Sequence, residues 1–84
     1  MIRFKPKASY SDTADALYVY LSDADAVERT QALDDRRMVD FGADGSVVGV
    51  EFLDASAGVD LHDVPNAQEI EQLVRSLNLP LYVR

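Results

Sequence analysis

Two carboxylates, Glu51 and Asp40, come nearest to a catalytic pair in this sequence. Glu51 stands beside Gly49 in an apolar run, and Asp40 precedes a glycine-bounded turn, so a hairpin would bring the two together. A carboxyl pair acting as general acid and base needs a cleft and displaced pKa values. The alternative, which we favour, is that Glu51 is a charge on a wet sheet face or at a dimer seam, paired with Arg29 or Arg37.

His62 is the single histidine, and it stands between Asp60 and Asp63 in a chain without cysteine. A zinc site normally needs several nitrogen or sulfur ligands, so we interpret His62 as an exposed loop residue. The chain also has no glycine-rich phosphate loop. We therefore expect no metal and no cofactor, and the residues favour a protein that is not an enzyme.

The charge of the chain limits its partners. Eight basic residues against fifteen acidic ones give a net charge of −7 and an isoelectric point near 4.4. Phosphate backbones would be repelled on average, so we do not expect nucleic-acid binding, whereas a basic protein partner would suit this charge. No run is apolar enough for a signal peptide or a membrane span, and the lack of cysteine fits a cytoplasmic location.

The segment 38–56 predicts a β-hairpin at the centre of the fold. Its turn, 42–45, contains Asp-Gly, a strong hairpin signal. Four loop residues would place Phe41 opposite Ser46 and Val39 opposite Val48. We expect the mid-strand Gly49 to have a neighbouring side chain packed over it, in preference to a bulge.

Alternating residues predict three earlier strands, at about 2–10, 16–21 and 27–33. Pro6 cannot donate to a ladder, so the first strand belongs at a sheet edge or is broken there. A helix is expected over about 66–77, with Asn66 as N-cap and Asn78 as a left-handed C-cap. Its apolar stripe consists of Ile70, Leu73, Val74 and Leu77.

These elements predict one α+β domain over residues 1–84, with strands within about 2–53. An antiparallel meander sheet of about five strands would be covered on one face by the C-terminal helix. One short helix leaves much of the sheet uncovered, and Tyr18 and Tyr20 fall on the face away from the expected core. Tyrosine is enriched at interfaces, so we predict a homodimer with Tyr18, Tyr20 and Tyr82 at its interface. The alternative for Tyr18 and Tyr20 is an ordinary aromatic pair on an open sheet face.

Two segments of the chain resemble the YuzE-like family of small bacterial domains of unknown function. The first, residues 10–22, is similar to that family's opening, and the second, residues 39–56, matches its closing hairpin. The resemblance covers roughly residues 7–56. Ser11 departs from the family, which usually has aspartate there and a proline soon after. The alternative is that Asp12 supplies the aspartate of this motif. The resemblance implies a small sheet-plus-helix fold and carries over no catalytic residue.

Three functional hypotheses follow, in order of preference. The first is a homodimeric protein-interaction module, such as an antitoxin-like protein that neutralises a basic partner. The second is a small enzyme that uses Glu51 with an aspartate such as Asp40. The third is nucleic-acid binding, which the charge disfavours.

Overall fold

Five antiparallel strands form one sheet in the computed structural model, which describes residues 4–84. The strands are β1 (Lys7–Ser11), β2 (Ala16–Tyr20), β3 (Arg29–Ala32), β4 (Arg37–Phe41) and β5 (Val47–Leu53). Their order is β1-β2-β5-β4-β3, so the β1-β2 hairpin joins the β3-β4-β5 meander where β2 pairs with β5. Together with one α-helix, this sheet confirms the predicted α+β class.

The first strand begins at Lys7, immediately after Pro6, and forms one edge of the sheet, as the proline predicted. Ile2 and Arg3, the start of the predicted strand, lie outside the described residues. The opposite edge is β3, which is exposed along its whole length.

The helix α1 (Ala67–Arg75) lies within the predicted range. Asn66 precedes it, but its side chain makes no capping hydrogen bond, so the predicted side-chain cap is wrong. The physical reason is its left-handed backbone, with φ of 59°, where a side-chain cap requires an extended one. Asn78 adopts the predicted left-handed conformation after the helix, with φ of 54°.

The hydrophobic core lies between the sheet and the helix. Ile70 and Val74 of α1, which contacts β1 and β2, share one buried cluster with alternate residues of the three central strands, because one helix face and one sheet face must each cover the other. Leu73 and Leu77 pack at its margin, which confirms the predicted stripe. The buried cluster consists of Leu17, Val19, Val39, Val50, Phe52, Ala55, Val59, Val64, Ile70 and Val74.

The central hairpin has the predicted turn but a different register. Val39 lies opposite Val50, where the alternation had placed Val48. The ladder shifts between Asp40 and Phe41, since Asp40 pairs with Gly49 and Phe41 with Val47. Val48 is therefore the extra residue of a bulge, which corrects the expectation of a regular strand.

The C-terminal residues return to the core layer. Val83 forms a parallel bridge with Val59, and the Val59 amide donates to the Tyr82 carbonyl at 2.7 Å. Leu81 and Val83 pack against the core, on the helix side of the sheet. This segment therefore extends the layer that covers one face and leaves the opposite face open.

Candidate functional site

The face of the sheet away from α1, which we call the open face, carries two rows of side chains that run across all five strands. The strand pairings define both rows. The first row consists of Lys7, Tyr20, Gly49, Asp40 and Thr30, and the second of Ser9, Tyr18, Glu51, Met38 and Ala32. The tyrosines and carboxylates singled out in the sequence thus lie on one surface, except for Tyr82.

Gly49 creates the space that organises the open face. A Cβ atom there would lie 2.5 Å from Tyr18 Oη and 2.7 Å from the Val19 carbonyl oxygen. The Tyr18 ring therefore lies directly over the glycine, as expected for a glycine packed under a neighbouring side chain. From this position the Tyr18 hydroxyl donates a hydrogen bond to Oδ2 of Asp40, two strands away.

Asp40 is the acceptor that fixes this arrangement. Its second oxygen, Oδ1, accepts a hydrogen bond from the Thr30 hydroxyl, so both oxygens are engaged from opposite sides. Partial burial, the hydrogen bond to Asp40 and the negative charge of Asp40 together raise the pKa of Tyr18 well above its ordinary value. The Tyr18 hydroxyl is consequently a firm hydrogen-bond donor, and Asp40 holds it in one orientation.

The two tyrosines of β2 form a continuous aromatic surface. Their ring centroids are 4.4 Å apart with the planes tilted by 53°. The Nζ atom of Lys7, on the edge strand β1, lies 5.3 Å from the Tyr20 ring centroid, within cation–π range. The open face is thus a partly ordered aromatic and charged platform.

Glu51 lies beside Tyr18 on this platform and is half-buried. Within residues 4–84 its carboxylate forms no ion pair. The expected pairing with Arg29 or Arg37 is therefore wrong. Arg29 lies 4.2 Å from the Phe41 ring centroid, and Arg37 bonds to Asp34 and to the carbonyls that follow β5. Both arginines lie on the helix side of the sheet, because they precede Thr30 and Met38 of the open face and successive strand residues point to opposite faces.

Glu51 and Asp40 are diagonal neighbours on the open face, because Glu51 pairs with Met38 and Asp40 with Gly49. Two clefts of the protein lie away from them. One, of about 450 Å³, lies between α1 and the C-terminal segment, and the other, of about 150 Å³, lies around Arg37 and Gly58. The carboxylates that sequence reasoning brought together are therefore neighbours on an open surface.

Tyr82 does not join the other two tyrosines. It belongs to the C-terminal segment on the helix side of the sheet, where its side chain is 67% exposed. Its neighbours Leu81 and Val83 face the core, so the alternation directs Tyr82 outward. An interface containing all three predicted tyrosines would need two separate surfaces of the protein.

Sequence reasoning missed a cluster around Asp15 that ties the first hairpin to the end of β5. The Asp15 carboxylate accepts hydrogen bonds from the Tyr10 hydroxyl at 2.8 Å and from the Ser56 hydroxyl and amide at 2.5 and 2.8 Å. These bonds, those from Ser56 above all, lower the pKa of Asp15. Asp15 itself adopts a left-handed backbone, with φ of 50°. Its role is to hold two segments together.

Arg37 is a second residue with a structural role. Its side chain is only 12% exposed, and its guanidinium contacts Asp34 at 2.9 Å and donates to the Asp60 carbonyl at 3.1 Å. It thereby connects the β3–β4 turn to the irregular segment after β5. His62 lies exposed in that segment, 3.4 Å from Asp63.

Between residues 4 and 84, no helix combines the length and the apolar character needed to cross a membrane. The same part of the chain contains no group of three or more histidine, aspartate or glutamate side chains placed to hold a metal ion.

Comparison with known proteins yields one family. Neither the curated proteins nor the solved structures contain a match to this chain. The family of proteins of unknown function designated DUF2283 matches residues 7–56, which includes the whole sheet and the Asp15 cluster. Since the match spans more than half of the 84 residues, the chain belongs to the DUF2283 family.

Proposed function

We propose that this domain is a protein-interaction module that forms a homodimer through the open face of its sheet. The observation that carries the proposal is the aromatic platform of Tyr18 and Tyr20, with ring centroids 4.4 Å apart, on a face that neither the helix nor the C-terminal segment covers. Tyrosines supply large contact area while their hydroxyl groups remain hydrated, which suits a surface that is wet in the monomer and buried in a complex.

Order in the platform adds support. The hydrogen bonds from Tyr18 and Thr30 to Asp40 hold the central side chains in place before any partner arrives. Binding then costs little side-chain entropy, because the rotamers are already fixed. Met38 next to Glu51 contributes a flexible apolar side chain to the same surface.

The alternative of a small enzyme using Glu51 and Asp40 has weaker support. Both oxygens of Asp40 already accept hydrogen bonds from neighbouring side chains. Neither of the two clefts described above is lined by Glu51 or Asp40. A general acid–base pair works best where water is excluded, which a flat sheet face does not provide.

The proposal extends to a basic protein partner, as in an antitoxin-like pair, on the strength of the net charge of −7. The proposal also includes kinship with the YuzE-like domains, because the two segments that resemble them fall within the matched residues 7–56. A cytoplasmic location belongs to the same proposal and rests on the absence of cysteine.

The experiment is sedimentation equilibrium of the wild-type protein and of two single variants. Tyr20→Ser removes an aromatic ring from the open face without removing the Tyr18–Asp40 hydrogen bond. Tyr82→Ser makes the same chemical change on the helix side of the sheet, where the ring is 67% exposed, and is the matched control.

We expect the wild-type protein to dimerise, and Tyr20→Ser to weaken the dimer about tenfold or more, as the loss of a central aromatic side chain does. Tyr82→Ser should leave the dissociation constant unchanged. A wild-type monomer at high concentration would refute the proposed homodimer. A dimer weakened only by Tyr82→Ser would move the interface to the other side of the molecule.

A further inference from the structure

Among residues 4–84, the open face carries an exposed cation, Lys7, and an anion that forms no ion pair, Glu51, on either side of the aromatic platform. Lys7 lies on β1 and Glu51 on β5, and β2 with its tyrosines runs between them. Within residues 4–84, the Lys7 ammonium lies near the Tyr20 ring and forms no ion pair, and Glu51 has no ion-pair partner. Asp40, the other carboxylate of this face, already binds two hydroxyl groups.

This arrangement is self-complementary under two-fold symmetry. Two sheets that pack face to face keep their strands roughly aligned, about 10 Å apart. An axis parallel to β2 and lying above it places β2 of one copy over β2 of the other. The same axis places β1 over the partner's β5, because these strands flank β2 on its two sides. Lys7 shares a row with Gly49, so it lies opposite the partner's Gly49, two residues or ~7 Å along the strand from the partner's Glu51. An extended lysine side chain spans this diagonal.

We infer that the partner on the open face is a second copy of this chain, and that Lys7 of each copy pairs with Glu51 of the other. The inference rests on the homodimer proposed above and adds its symmetry and its charge contacts. In an isologous interface a contact between residues i and j occurs twice, so the dimer gains two such pairs. The tyrosines occupy the centre and the charged pairs the rim, the usual arrangement of a binding surface.

The dimensions of the face set the strength of the dimer. With the axis above β2, only β1, β2 and β5 of each copy overlap. Three strands spaced ~4.8 Å apart, each of about five residues rising ~3.3 Å, give an overlap of roughly 14 by 17 Å. An interface of this size belongs to the small, transient class. A weak dimer, with a dissociation constant of about micromolar or above, is therefore expected, within reach of sedimentation equilibrium and of dilution measurements.

The test is a charge-swap cycle measured by sedimentation equilibrium on the full chain. The variants are Lys7→Glu, Glu51→Lys and the double variant with both changes. Glu69→Lys, on the exposed first turn of α1, changes the net charge as Glu51→Lys does and is the matched control. Circular dichroism of each variant establishes that it is folded.

Each single swap places like charges together twice per dimer and is expected to raise the dissociation constant about tenfold or more. The double variant should return to within about threefold of the wild type, since the pairs are restored with reversed sign. Glu69→Lys should dimerise at least as well as the wild type, because it only reduces the negative charge of the chain.

The outcomes separate this inference from the proposal beneath it. A wild-type dimer whose dissociation constant is unchanged by either single swap would overturn the Lys7–Glu51 pairing and leave the homodimer intact. Single swaps that weaken the dimer without rescue in the double variant would also overturn the pairing. A monomeric wild-type protein would overturn both.

Discussion

The Tyr18 hydroxyl reaches Asp40 by passing over Gly49, and the hydrogen bond between them joins β2 to β4 across β5. The hydrogen bond that links these three strands therefore requires a residue without a side chain at Gly49. Because Tyr18 and Asp40 both lie on the open face, the same contact links the stability of the sheet to the shape of its exposed surface.

Gly49→Ala should destabilise the protein by about 1–3 kcal/mol, because the new Cβ would meet the Val19 carbonyl at 2.7 Å and backbone has to move. Urea unfolding measures the loss. Gly45→Ala is the control, since Gly45 has open space around it and only its φ of 84° opposes a side chain. A Gly49→Ala variant that retains wild-type stability would contradict the packing of Tyr18 over the glycine.

Tyr18 should ionise well above the pH at which a free tyrosine does. Burial and the Asp40 carboxylate raise its pKa in the folded protein, so its contribution to stability is complete below the unfolded pKa of about 10. That contribution is lost as the pH rises through the folded pKa. Spectrophotometric titration should show a resistant tyrosine whose signal is lost in Tyr18→Phe, whereas Tyr20→Phe should leave that signal in place.

Asp15→Asn should reduce stability at neutral pH and also reduce the sensitivity of the protein to acid. Hydrogen bonds from Ser56 and Tyr10 lower the pKa of Asp15, so its contribution is complete above the unfolded value of about 3.9. It is lost as the pH falls through the folded pKa. Unfolding curves across the acid range check this, with Asp12→Asn, an exposed neighbour, as the control. An identical acid profile for Asp15→Asn and the wild type would exclude this role.

Arg37→Lys should cost about 1–3 kcal/mol, because an ammonium group cannot replace a guanidinium that bonds Asp34 and the Asp60 carbonyl at once. Arg36→Lys makes the same change at the adjacent residue, whose guanidinium forms an exposed ion pair with Asp54, and should cost less than about 0.5 kcal/mol. Thermal unfolding of the two variants compares them directly. Equal losses would mean that Arg37 does not hold the β3–β4 turn to the segment after β5.

Local patterns predicted most of the fold. The Asp-Gly turn, the apolar stripe of the helix and Pro6 at a sheet edge are each short-range signals, and the structure confirms all three. The predicted register of the central hairpin was wrong, because the alternation of apolar residues does not reveal which residue a bulge leaves unpaired in the ladder. Here that residue is Val48.

The candidate site was predicted in part. The sequence placed four residues on one face of the sheet, because successive residues of a strand point to opposite faces. These residues are Tyr18, Tyr20, Asp40 and Glu51. The bond between Tyr18 and Asp40 depends on β2 pairing with β5, a contact between distant segments that no local pattern encodes. The Asp15–Ser56 bonds span 41 residues and were missed for the same reason.

The most direct test of the open face as an interface is a series of backbone amide NMR spectra recorded on dilution. Dimerisation through this face predicts concentration-dependent shifts at Tyr18, Tyr20 and Glu51, with the amides of α1 (Ala67–Arg75) unchanged. Shifts confined to α1 and the C-terminal segment, or spectra that stay constant for a monomer at every concentration, would contradict it.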